Sequence, residues 1–163
     1  MSKEHTYNTD LVWTGNTGNG TSNYKDYSRA HEISIEGKPK IVGSSDPHFN
    51  GDASRYNPEE LLVAALSACH MLYYLHLCAD AKVVVVDYQD SAKGVMIETA
   101  NGGGHFTEVV LKPRVCITKE SDANLANEIH HKAYELCFIA NSVNFPVRAE
   151  AEILFEKSST APD

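Results

Sequence analysis

Residues 57–79 read NPEELLVAALSACHMLYYLHLCA. Asn57 can accept hydrogen bonds from the free N–H groups of a helix start, and Pro58 suits the first helical position. Glu59 and Glu60 put negative charge beside the positive end of the helix dipole. From Leu61 to Ala79 there is no Asp, Glu, Lys or Arg, and charge returns only at Asp80 and Lys82. The stretch predicts a helix apolar all round and long enough to cross a bilayer. Ser67, His70, His76 and the alanines interrupt the run, however, and no basic flank anchors it. The expectation is therefore the central helix of a soluble protein, buried on every side.

Before this helix, apolar and polar residues alternate over His5–Trp13 and Tyr27–Ile35, with the Gly/Asn/Thr-rich segment Thr14–Asn23 between them. Two strands joined by a loop is the simplest reading. After Ile41 and Val42 comes GSSDPHFNGDASRY (43–56), a polar loop longer than most. Beyond the helix, Val83 opens a β-branched strand expected to run through Thr99. Gly102–Gly104 turn into a second strand, Phe106–Ile117, giving a long hairpin. Asp122–Ile139 reads as an amphipathic helix, with Leu125, Ile129, Ala133 and Leu136 spaced at three and four. The last strand is Val147–Phe155, and the tail 157–163 is expected to fray. This order predicts one α+β domain spanning 1–163, with two main helices packed on antiparallel sheets.

At 163 residues the chain is long enough to bury a core without disulfide or metal staples. A formal net charge of -8 argues against nucleic acid and anionic membrane surfaces as partners, since both require clusters of Lys and Arg. The start, MSKEHTYNTD, is polar and lacks the apolar stretch of an export signal, so the expected location is cytoplasmic. There the four cysteines, Cys69, Cys78, Cys116 and Cys137, are more naturally free or catalytic thiols than a disulfide framework.

Each cysteine also has a plainer reading as a small apolar filler. Cys78 trails off the central helix and Cys116 alternates within a strand, so both fit that reading well. Cys69 and Cys137 lie on two different helices and meet only if the fold brings those helices together. Histidines lie close by in sequence: His70 and His76 follow Cys69, and His130 and His131 precede Cys137. No pair has CxxC or HxxxH spacing, so no metal site is expected. The absence of GxSxG argues against a serine hydrolase built on a nucleophile elbow.

RYNPEELLVAALSACH (55–70) resembles the signature of the OsmC/Ohr family, the osmotically inducible and organic hydroperoxide resistance proteins. The second cysteine, in ELCFIANSV (135–143), is similar to that family's other thiol. The resemblance implies an OsmC-like fold forming an intertwined homodimer, and a thiol peroxidase that needs no cofactor. Cys69 would attack an organic hydroperoxide to give a sulfenic acid, and Cys137 would condense with it into a disulfide. A dithiol reductant, in the family often a lipoylated protein, would then restore both thiols. The family also supplies an N-terminal arginine, held by the glutamate of NPE, to favour the thiolate. Arg29 is the preferred candidate here and Arg55 the other, with Glu59 as the carboxylate and Glu60 beside it.

Ten residues separate Glu59 from Cys69, about 15 Å along one straight helix, so Glu59 would have to serve the cysteine of a second copy. Three positions depart from the family pattern. SDPHF, with His48, replaces a stretch that usually carries arginine, His70 stands where an aromatic is usual, and Phe138 where proline is usual. His70 could donate to the thiolate, although helical geometry turns it about 100° away from Cys69. Tyr73 and Phe138, with Tyr74 nearby, could line an apolar mouth for the substrate. Two other expectations remain open on the same scaffold, a non-enzymatic binding or structural dimer and a different thiol-dependent enzyme.

Overall fold

The computed structural model describes residues 3–157, and the expected fraying beyond Lys157 lies outside them. The chain divides into two compact units, Met1–Leu62 and Val63–Asp163.

Unit 1 is an antiparallel meander of β1 (Asp10–Trp13), β2 (His31–Ser34) and β3 (Ile41–Gly43). The register pairs Trp13 with His31 and His31 with Gly43. A Cβ at Gly43 would stand 2.2 Å from His31 Nε2, so the imidazole lies where only glycine leaves room. The loop that follows folds into a 3-10 turn, Pro47–Phe49, whose start is capped by the Asp46 carboxylate and whose end is turned by Asn50 at φ 59°. Helix α1 (Pro58–Asp80) then begins as expected. Asn57 Oδ1 accepts from the Glu60 N–H at 2.8 Å, and the Glu60 carboxylate accepts in return from the Asn57 N–H at 3.2 Å, a reciprocal capping box.

In unit 2, each of the three strands expected from sequence is broken in two. Val83–Thr99 becomes β4 (Val85–Asp90) and β5 (Lys93–Glu98), and Phe106–Ile117 becomes β6 (Gly104–Leu111) and β7 (Pro113–Ile117). Val147–Phe155 becomes β8 (Val147–Ala149) and β9 (Glu152–Phe155). The breaks fall at matching places, so the pieces form two three-stranded sheets, β4-β7-β9 and β5-β6-β8. At the break, Asp90 Oδ1 accepts the Lys112 N–H at 2.7 Å, and the Leu111 carbonyl accepts the Glu150 N–H at 2.8 Å. Pro113, opposite Asp90, has no N–H to give.

The sheets are mixed, not purely antiparallel as expected, because β8 runs parallel to β6 and β9 parallel to β7. Parallel neighbours need a crossover connection, and helix α2 (Ala123–Leu136) lies within it. The Asp122 carboxylate caps α2 by accepting from the N–H groups of Asn124 and Leu125.

Two hydrophobic clusters form the core of unit 2. One gathers Tyr74, Cys78, Val83, Val115, Ile117, Ala126, Ile129 and Ala133. The other gathers Leu66, Val109, Leu111, Cys137, Ala140 and Val147. In the single chain α1 is buried along one stripe, Leu66, His70, Tyr74 and Cys78, and not on every side as the sequence suggested. Leu72, on another face, is 63% exposed. The flanking side chains are half-buried against the two clusters, and an exposed stripe runs along Ala65, Ala68, Leu72 and His76.

Candidate active site

Cys69 lies half-buried on α1 and packs against the second cluster, which contains Cys137. Helix α2 ends at Leu136, three residues sooner than expected, and Cys137 is its C-cap with extended backbone (φ -66°, ψ 111°). The chain then turns at once into a short 3-10 segment, Ala140–Ser142. That turn aims the Ala140 N–H at Cys137 Sγ, at 3.4 Å, while the Asn141 side-chain amide donates to the Glu135 carbonyl and closes the helix end.

Cys69 and Cys137 share the second hydrophobic cluster. Burial, and then the neighbouring Cys69, push the Cys137 thiol up to about 11, against the opposing pull of the Ala140 and Ile139 N–H groups. Cys137 is 1% exposed and keeps its proton.

Tyr73, one helical turn beyond Cys69, borders both sulfurs. Desolvation and the neighbouring Cys69 and Cys137 hold its phenol above the ordinary value, so it stays neutral. Its ring meets the edge of Phe138 at 5.5 Å and 85°, and Phe138 is 67% exposed. Tyr73 and Phe138 are thus in ring contact beside the cysteine-bearing cluster. Tyr74 points elsewhere: its ring is fully buried in the first cluster and its hydroxyl donates to the Ala126 carbonyl at 3.0 Å.

His70 does not reach toward the thiol, which corrects one expected role. It is buried, and its Nε2 lies 3.0 Å from His130 Nδ1 on α2. The His130 ring stacks on Tyr74 with centroids 3.9 Å apart. Sequence reading missed His130 as a partner, although its place beside Ala126, Ile129 and Ala133 on the apolar side of α2 was a usable signal.

The remaining candidates belong to unit 1. Arg29 is held locally: its guanidinium donates to the carbonyls of Tyr27 and Tyr24, each at 2.5 Å, and lies 4.2 Å from the centre of each of those rings. It borders a cleft of about 370 Å³ lined by Trp13, Tyr27, His31, Ser44 and Pro58 among others. Glu59 is half-buried in the first turn of α1, and Glu60 is committed to the capping box. Arg55 pairs with Asp52 at 3.4 Å, and His48 with Asp46 at 2.7 Å on the surface. Among the described residues no three His, Cys, Asp or Glu side chains are grouped as metal ligands.

Comparison with known proteins agrees with this arrangement of elements. The family model for OsmC-like proteins matches residues 51–152. An OsmC-like protein of unknown function from Vibrio cholerae is 35% identical, with a TM-score of 0.82 over 91% of this chain and 100% of its own. An organic hydroperoxide resistance protein from Elizabethkingia anophelis shares the fold at 18% identity and TM-score 0.68, over 96% of this chain and 100% of its own. One from Legionella pneumophila does so at 19% and 0.64, over 93% and 99%. No protein of curated function matches the sequence. The match over residues 51–152, which takes in both Cys69 and Cys137, together with the Vibrio relative aligned along nearly its whole length, makes this chain a member of the OsmC-like protein family.

Proposed function

We propose that the protein is a cysteine-based hydroperoxide reductase acting in a reducing cytoplasm. The observation that carries this reading is the packing of Cys69 against the hydrophobic cluster that contains the buried Cys137 thiol. Two fold relatives described as organic hydroperoxide resistance proteins support the substrate class.

The Cys69 thiolate attacks the distal oxygen of an organic hydroperoxide, the O–O bond breaks, and the alcohol leaves after taking up a proton. Cys69 is now a sulfenic acid. Cys137 displaces its oxygen, giving the Cys69–Cys137 disulfide and one water. An external dithiol, a lipoylated protein in this reading, then reduces the disulfide through a mixed disulfide and is itself oxidised. Tyr73 and Phe138 offer an apolar approach suited to an organic substituent.

Arg29 and Glu59 complete the proposed site from a second copy of the chain. The exposed stripe of Ala65, Ala68 and Leu72 on α1, which lets a second helix approach closely, supports a homodimer. A monomer by light scattering at micromolar concentration would overturn the dimer.

The chemistry is tested by stopped-flow oxidation of the reduced protein with cumene hydroperoxide and with hydrogen peroxide, followed by intact mass. Wild type is expected to prefer the organic peroxide and to end as a disulfide. Cys137→Ser should stop at a sulfenic or over-oxidised Cys69. Oxidation no faster than that of a free thiol in solution would overturn the peroxidase reading.

A further inference from the structure

The His70–His130 pair is a buried polar contact that the proposed chemistry does not use. It joins the two helices that carry the two thiols, since His70 neighbours Cys69 on α1 and His130 lies two turns before Cys137 on α2. A second polar tie follows one turn on, from the Tyr74 hydroxyl to the Ala126 carbonyl. A third joins the Ser67 hydroxyl to Asp90 Oδ2 at 2.5 Å. Ser67, His70 and Tyr74 are spaced at three and four, so all three ties leave α1 from one face.

This matters because, apart from these polar groups, α1 carries apolar side chains on every face. A helix with apolar side chains on every face has little preference for one rotation about its axis, and a shift by one residue turns Cys69 through about 100°. Directional buried hydrogen bonds can choose one rotation where apolar contacts do not, as buried polar residues set register in other helical assemblies. We propose that His70 and His130 are positioning residues, whose hydrogen bond fixes the rotation of α1 and thereby aims Cys69 at Cys137. This inference rests on the reading of those two cysteines as a working pair, and it does not depend on peroxide as the oxidant.

The energetics separate aiming from mere support. His130 Nε2 is buried with no hydrogen-bond partner among the described residues, a costly arrangement for a polar atom. Replacing the imidazole by leucine removes that penalty while stripping His70 Nε2 of its partner, so the two costs roughly offset and a large change in stability is not expected.

The test compares wild type, His130→Leu and His130→Asn, whose amide can stand in for the Nδ1 contact. Each is equilibrated with mixtures of reduced glutathione and glutathione disulfide, whose disulfide oxidises the thiol pair by accepting two electrons and two protons and leaves as two glutathione thiols, and the protein disulfide fraction gives the effective concentration of the pair. His130→Leu is expected to lower it about tenfold or more with no fall in melting temperature, and His130→Asn to keep it within about twofold of wild type. If His130→Leu does not fold, the double variant His70→Leu/His130→Leu, apolar on both sides, replaces it. An unchanged effective concentration in the leucine variant, or equal loss in both leucine and asparagine variants, would overturn the proposal. Failure of the peroxidase reading would show separately, as normal glutathione behaviour with no peroxide reaction in any of the proteins.

Discussion

The two hydrophobic clusters of unit 2 each bury a cysteine, and they treat it differently. Cys78 is 1% exposed beside the Tyr74 hydroxyl, and burial raises its thiol above the ordinary range with only that hydroxyl to oppose it. Cys137 is equally buried, yet it faces Cys69 on one side and two backbone N–H groups on the other. Burial alone makes a thiol inert. A second sulfur and a turn that directs N–H groups at the first are what separate a candidate active site from core packing.

The widest gap between the clusters should appear in reactivity. Cys69→Ser is expected to lower the rate of peroxide oxidation by about a thousandfold or more, while Cys78→Ser leaves it within about twofold, read by stopped flow. Equal effects would erase the distinction.

Acid should act next, through the histidines between the clusters. Burial, and then the charge of His70, lower His130 to about 3, and burial lowers His70, with Asp90 partly opposing. The unfolded chain takes up protons near pH 6.5 that the folded chain refuses, so stability is full above about 6.5 and falls as the pH drops below it. For His130 alone the slope approaches about 1.4 kcal/mol per pH unit down to its folded value. Urea unfolding at pH 7 and pH 5 should show the loss, and His130→Leu should reduce it. A pH-independent midpoint across that range would contradict the buried neutral pair.

Smaller effects belong to the first cluster. Cys78→Ala should cost about 1–2 kcal/mol by removing a packed sulfur. Asp122→Ala should cost about 1 kcal/mol by uncapping α2, with peroxide reactivity unchanged. A loss of reactivity in either variant would mean that the two clusters are not independent.

The start of α1 was legible because Asn57, Pro58 and Glu60 act within one turn, and local chemistry is written locally. In sequence the segment Asn141–Pro146 marks the end of α2, which carries the helix to Ile139. The helix stops instead where the Asn141 amide takes the Glu135 carbonyl and the chain turns around Cys137. The long run Val83–Thr99 carried no sign of its break, because the break depends on Asp90 capturing the N–H of Lys112 from the neighbouring strand. The proposed Cys69–Cys137 pairing is likewise invisible in spacing and rests on family likeness. His130 was passed over because its partner is on another helix. What sequence hides here is contact between elements.

The placement of Cys137 just after the crossover helix has a mechanical consequence. β9 can take its place beside β7 only once the connection through α2 has closed, so these non-local pairings are expected to form late in folding. A bond between Cys69 and Cys137 would tie α1 to the end of α2, closing a loop of about 70 residues and reducing the freedom of the unfolded chain by about 4 kcal/mol. Each catalytic turn would then alternate the molecule between a stapled, stiffer form and a looser one, making its unfolding rate a running record of how recently it was oxidised.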